Sequence, residues 1–196
     1  MGWAVRGRGP GTDGAGVKFV ATDVAGAFVV EPEMREDERG AFARTFCAET
    51  FAAHGLASVY PQCNVSTNGR RGTLRGLHFQ TVPKAEAKLV RATRGRVFDV
   101  ALDLRPDSPS YLKWAAVELD AARHNAFYIP AGCAHGFLTL EDHCELFYQM
   151  SEPYAPDLAR GVRWDDPAFA IAWPFAPEVI GTRDANYPDF SNEEVP

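Results

Sequence analysis

The chain has 196 residues, 46% of them hydrophobic, with a formal net charge of −6. That length suits one well-buried domain and is short for two. The acidic balance argues against non-specific binding to nucleic acid or a membrane surface, and no apolar run is long enough to span a bilayer.

Residues 1–16 are rich in glycine and lack apolar periodicity. They read as a disordered tail ahead of a single domain over 17–196. They contain no hydrophobic block of the kind a signal peptide carries. The four cysteines, Cys47, Cys63, Cys133 and Cys144, form no C-x-x-C pair. Reduced thiols in a cytoplasmic protein are therefore expected. Residues 19–34 form two short apolar runs broken by Gly26 and ended by Pro32. Residues 44–54, rich in Ala and closed by Gly55, predict a helix. Strands are then predicted at 88–93, 96–104, 113–119, 125–130, 135–140 and 144–150. Turn signals separate them at 94–95, 106–109, 130–132 and 141–142. In 96–104, alternation sets Phe98, Val100, Leu102 and Leu104 on one face. Evenly spaced short strands without βαβ alternation indicate an all-β sandwich or barrel. The Pro-rich segment from Pro174 is expected to pack back over it.

Two stretches could carry chemistry: Leu74-Arg75-Gly76-Leu77-His78-Phe79-Gln80 and Pro130-Ala131-Gly132-Cys133-Ala134-His135-Gly136-Phe137. The second reads P-x-G-x-x-H, about fifty residues after the first. Together they resemble the two half-motifs of a cupin barrel, the double-stranded β-helix or jelly roll. Metal-binding cupins offer H-x-H and a Glu in the first half; here Gln80 replaces one ligand and no Glu follows at the short spacing. Two imidazoles make a poor metal site, so no metal is expected and the histidines are free for proton chemistry. Strict alternation would put Arg75 and His78 on opposite faces, so a shared pocket requires a bulge, for which Gly76 is the natural place. Arg70, Arg71, Arg75, Lys88 and Arg91 could supply local positive charge for an anionic ligand. His54, His124 and His143 sit beside helix-end or turn residues. On composition alone Tyr148 reads as a core strand tyrosine, Asp165-Asp166-Pro167 as a solvated turn, and Asp184 beside Arg183 as a surface ion pair.

From about residue 28 to 190 the chain resembles the dTDP-4-dehydrorhamnose 3,5-epimerase family. The matching stretches include Asp37-Glu38-Arg39-Gly40-x-Phe42, Gln62-x-Asn64-x-Ser66, the two half-motifs, Lys88-Leu89-Val90-Arg91, Gly95-x-Val97-Phe98-Asp99-Val100, Trp164-x-Asp166-Pro167 and Arg183-Asp184. The resemblance implies a cofactor-independent epimerase that inverts C3 and/or C5 of a nucleotide-linked 4-keto-6-deoxy sugar. His78 would be the base, Asp184 its orienting carboxylate, Tyr148 the acid on the opposite face, and Lys88 the cation at the enolate oxygen. His135 would line the sugar pocket. Arg39, Gln62, Asn64 and Arg75 would contact nucleotide and diphosphate, and Arg183 lies in the same matched set. The segment with Arg39 and Phe42 would come from a neighbouring subunit, implying a homodimer. Arg44 and Ala159 stand where relatives commonly carry acids, so CDP- and GDP-linked sugars remain alternatives to the dTDP-linked one. A keto-sugar isomerase of the same fold and a non-catalytic sugar-nucleotide-binding cupin are the other readings.

Overall fold

The computed structural model describes residues 16–191. The tail expected over 1–16 lies outside the described residues, apart from Gly16. The two N-terminal apolar runs become β1 (Val17–Ala21) and β2 (Phe28–Pro32), turned at Gly26 with φ +80°. Next come a short hairpin of β3 (Arg35–Asp37) and β4 (Gly40–Phe42), the helix α1 (Ala48–Ala53), and β5 (Gln62–Asn68). The central strands are β6 (Thr73–Gln80), β7 (Lys88–Arg94), β8 (Arg96–Asp103), β9 (Trp114–Asp120), β10 (Ala126–Ile129), β11 (Cys133–Thr139) and β12 (Cys144–Met150). The chain ends with β13 (Ala159–Gly161), β14 (Val179–Ile180) and the short helix α2 (Thr182–Ala185).

One sheet runs β1-β2-β10-β7-β12-β5. The other runs β13-β6-β11-β8-β9, with β14 added parallel to β6. Apart from that addition the pairings are antiparallel, and the two sheets face each other as a cupin-type jelly roll.

Three apolar layers follow from period-2 alternation. Between the sheets lie Val90, Ala92, Val97, Phe127, Phe137 and Leu146. On the outer face of the second sheet, Val100, Leu102 and Leu104 pack with Phe98, as the alternation in 96–104 predicts. Phe169, Ile171, Trp173 and Phe190 cover them. The chain after Pro174 thus does return to the barrel. Outside the first sheet, Phe51 of α1 is fully buried among Phe19, Phe46 and Tyr128. The helix begins later than predicted. Cys47 is extended, and the preceding residue, Phe46, is occupied with ring contacts to Phe51 and Tyr60. It stops before Gly55, whose φ of +70° ends the helix.

Inward positions of single strands change from apolar to polar along their length. On β12 the inward side runs Cys144, Leu146, Tyr148, Met150; on β7 it runs Ala92, Val90, Lys88. Apolar side chains fill one end of the barrel and polar ones line the other, which stays open.

Candidate active site

The open end holds a cavity of about 510 Å³ walled by both sheets. Arg75, His78 and His135 come from β6 and β11. Gln62, Asn64, Lys88 and Tyr148 come from β5, β7 and β12. Arg183 and Asp184 enter from α2. These are nine of the eleven residues singled out in the sequence. The other two, Arg39 and Phe42, lie on the β3–β4 hairpin away from this cavity. Arg39 is ion-paired with Asp37, and Phe42 is 70% exposed.

The local fold explains how Arg75 and His78 come together. His135 of β11 pairs with His78 and Phe137 pairs with Arg75, so three steps on β6 span two on β11. This is the expected bulge, and it turns both side chains into one cavity. A Cβ at Gly76 would stand 2.5 Å from the Cα of Gly136, and Gly76 has φ +123°. The glycines therefore let two strands approach each other.

His78 Nε2 lies 2.8 Å from Asp184 Oδ1, and the Gly76 N–H donates to Asp184 Oδ2 at 3.0 Å. With the ring proton on Nε2, the lone pair is on Nδ1. Burial would raise the Asp184 pKa, but the His78 and Gly76 hydrogen bonds outweigh it and hold the carboxyl below its usual range. Asp184 is thus not the surface partner of Arg183 that its sequence suggests. It is 8% exposed, and Arg183 Nε instead donates to Tyr187 Oη at 2.6 Å. The Tyr187 ring stands edge-on to His78.

Lys88 is 5% exposed. Its Nζ donates to the His78 carbonyl at 3.0 Å and lies 2.9 Å from Glu86 Oε1. Tyr148, on the same sheet as Lys88 and across the cavity from the strand that carries His78, is half-buried. Burial pushes its phenol pKa up, against the opposing charge of Arg75, so it carries a proton at neutral pH. Arg75 Nε donates to Asn68 Oδ1 at 2.8 Å. His135 Nε2 sits 3.0 Å from Oδ2 of the fully buried Asp99, whose pKa burial raises against the pull of His135.

Three groups escaped the sequence reading. Asp99 did leave a signal: it lies on the face of β8 opposite Phe98 and Val100, where a carboxylate in an apolar strand needs a partner. Glu86 left none: it stands between Ala85 and Ala87, with Lys84 and Lys88 beyond, in a short stretch after Pro83 that shows no strand pattern. Asp166, read as part of a solvated turn, is buried and accepts the N–H groups of Ala168 and Phe190, fastening the C-terminal segment. Of the five central cations, Arg75 and Lys88 reach the cavity. Arg70 and Arg71 pair with Glu178, and Arg91 lies over Phe147.

Gln80, at the cupin ligand position, has both ends of its amide engaged. Its Nε2 donates to the Lys84 carbonyl at 2.8 Å, and its Oε1 accepts the Ala155 N–H at 2.6 Å. Among the described residues no three His, Cys, Asp or Glu side chains stand together as a metal site.

A sequence profile of the dTDP-4-dehydrorhamnose 3,5-epimerase family matches residues 21–192. The enzyme of that name from Methanothermobacter thermautotrophicus is 43% identical over 173 residues, covering 87% of this chain and 92% of its own. The crystal structure of the Elizabethkingia anophelis dTDP-4-dehydrorhamnose 3,5-epimerase superposes with a TM-score of 0.87 at 35% identity, covering 91% of this chain and 99% of its own. The dTDP-6-deoxy-D-glucose-3,5-epimerase of Legionella pneumophila, in complex with dTDP-4-keto-L-rhamnose, gives 0.85 at 32% identity, with 92% and 97% covered. With the barrel, the histidine–carboxylate pair and these likenesses in agreement, the chain belongs to the dTDP-4-dehydrorhamnose 3,5-epimerase family and is an isomerase that acts on nucleotide-linked sugars.

Proposed function

We propose that this protein inverts both C3 and C5 of a dTDP-linked 4-keto-6-deoxyhexose, without a cofactor. The observation that carries the reading is the His78–Asp184 pair on one wall of the cavity with Tyr148 on the other and Lys88 beside His78. A proton next to a ketone is acidic because the electron pair left behind moves onto the carbonyl oxygen. His78 Nδ1 takes that proton, the C4 oxygen becomes an enolate oxygen, and the Lys88 ammonium stabilises it. Tyr148 then gives its phenolic proton to the same carbon from the opposite face, which inverts the centre. The imidazolium and phenolate are restored by proton exchange with water. Because the ketone flanks both C3 and C5, one base can serve the two centres in turn.

Arg75 and Arg183 supply the cations for a diphosphate, with Gln62 and Asn64 beside them as hydrogen-bonding groups. His135, held by Asp99, would line the sugar pocket. Arg39 and Phe42 project from the hairpin toward a second copy in a homodimer, a reading supported by their exposure and by their not lining their own cavity. Ala159 on the cavity edge and exposed Arg44 leave CDP- and GDP-linked sugars as alternatives. We assign the protein to the cytoplasm on its free cysteines.

The test is turnover of dTDP-, CDP- and GDP-4-keto-6-deoxyglucose in D2O. Deuterium at both carbons, fastest with the dTDP sugar, is the expected result. Label at one carbon only, across every substrate that binds, overturns the double inversion. Label without change of configuration overturns the inversion, and a shifted keto group points to a keto-sugar isomerase. EDTA should leave the rate unchanged; loss of activity restored by one divalent metal would contradict the mechanism.

A further inference from the structure

We propose that Glu86 is a positioning residue for this reaction, acting through Lys88. The proposal rests on the epimerase reading, in which Lys88 faces the developing enolate.

An ammonium has three N–H donors. Lys88 donates one to the His78 carbonyl, at 3.0 Å, and its Nζ is ion-paired with Glu86 Oε1 at 2.9 Å. N–H capacity is left for the cavity that Lys88 lines. A lysine stem is flexible, so its direction here depends on those two fixed acceptors.

Glu86 is itself held in place. It is 4% exposed, and its second oxygen accepts the Gln80 N–H at 3.1 Å. The Gln80 side chain in turn ties the Lys84 carbonyl to the Ala155 N–H. The residue at the cupin ligand position thus anchors the carboxylate that aims the lysine. A carboxylate buried this far needs both oxygens occupied, and a glutamine there has one acceptor for two donors. Asp99 also interacts electrostatically with Lys88, but it is bonded to His135. Glu86 is the carboxylate in direct contact with the ammonium.

The consequence is specific. A neutral ketone gains little from a well-aimed cation and an enolate gains much, so Glu86 should act on kcat and hardly on KM.

The test uses Glu86→Gln, Lys88→Met and the double variant. Glu86→Gln should lower kcat about 10- to 100-fold, with KM and the Kd for dTDP changed less than about twofold. In the Lys88→Met background it should cost less than about a further twofold. Additive losses in the two variants overturn the proposal, as does a change in dTDP affinity with kcat intact. Glu86→Asp keeps the charge but shortens the reach, and it is read in the same way if the glutamine variant does not fold. A further measurement does not depend on turnover. The Lys88 amine should be acylated by acetic anhydride several-fold faster in Glu86→Gln than in wild type, read by peptide mass spectrometry. Equal labelling overturns the tether whatever the substrate proves to be. Faster labelling in a protein inactive on every sugar tested would instead fault the substrate reading.

Discussion

His78 can serve as a base only while Asp184 stays ionised beside it and holds the ring. His78→Ala should abolish solvent deuterium entry into substrate. Asp184→Asn should slow it by about 10²- to 10⁴-fold, since the ring loses its orienting partner and preferred tautomer. Near-normal exchange in His78→Ala would remove it as the base. The carboxyl of Asp184 also has a stability consequence. Its pKa is held low in the folded state, so it contributes stability above its unfolded pKa, and that contribution is lost as pH falls through the folded value. The stability gap between wild type and Asp184→Asn should therefore narrow as pH drops from about 5 to about 2. A constant gap in urea titrations across that range would show that the depressed pKa is not what Asp184 contributes. Tyr148→Phe should behave differently again. It keeps the base, so substrate hydrogen still washes out, but without the phenolic proton the centre is returned with its original configuration.

The elements that place these residues were unequally legible. β7, β8, β11 and β12 announce themselves by apolar alternation and turn signals, because period 2 is imposed by the pleat itself. Both half-motif histidines were legible from motif spacing and the cupin resemblance rather than from alternation, and the bulge followed from the three-residue spacing of Arg75 and His78. The short helix α2 could not be read. Three of its four residues, Thr182–Ala185, are polar, and nothing local says that Asp184 will turn inward. What turns it is distant: β14 adds to β6 in parallel, and the Gly76 N–H waits to be paired. Glu86 and Asp166 were lost similarly, since a buried carboxylate looks like a surface one until its donors are known. The bulge yields its own prediction. Gly76→Ala would drive a methyl into the Gly136 backbone at a φ that L-residues rarely adopt, costing about 2 kcal/mol or more and pulling Arg75 and His78 apart. Thermal unfolding and activity should fall together. A folded Gly76→Ala enzyme of wild-type stability and rate would mean the close strand approach is dispensable.

At the scale of the whole molecule, one chain leaves its site incomplete on the family reading. The β3–β4 hairpin is exposed along its length, and the strand that feeds it, β2, lies beside the sheet edge formed by β1. An exposed Phe42 and an Arg39 with only a neighbouring Asp37 for company do little for the stability of their own chain. In a two-fold dimer each hairpin can complete the other cavity, and each site then draws on two chains. Arg39→Ala and His78→Ala should each inactivate a homodimer by different routes. Mixed subunits place both defects in one site and leave the other intact. Random exchange makes about half the dimers hybrid, each with one working site in two, so activity should recover to about a quarter of wild type. The measurement is turnover after co-refolding equal amounts of the two variants, with hybrid formation followed by a mass tag on one chain. Silence from a proven hybrid, or a monomer by light scattering at assay concentration, would place Arg39 outside the site. Recovery would show that substrate is gripped across the dimer, and dilution below the dimer dissociation constant should then raise KM before it lowers the stability of either barrel.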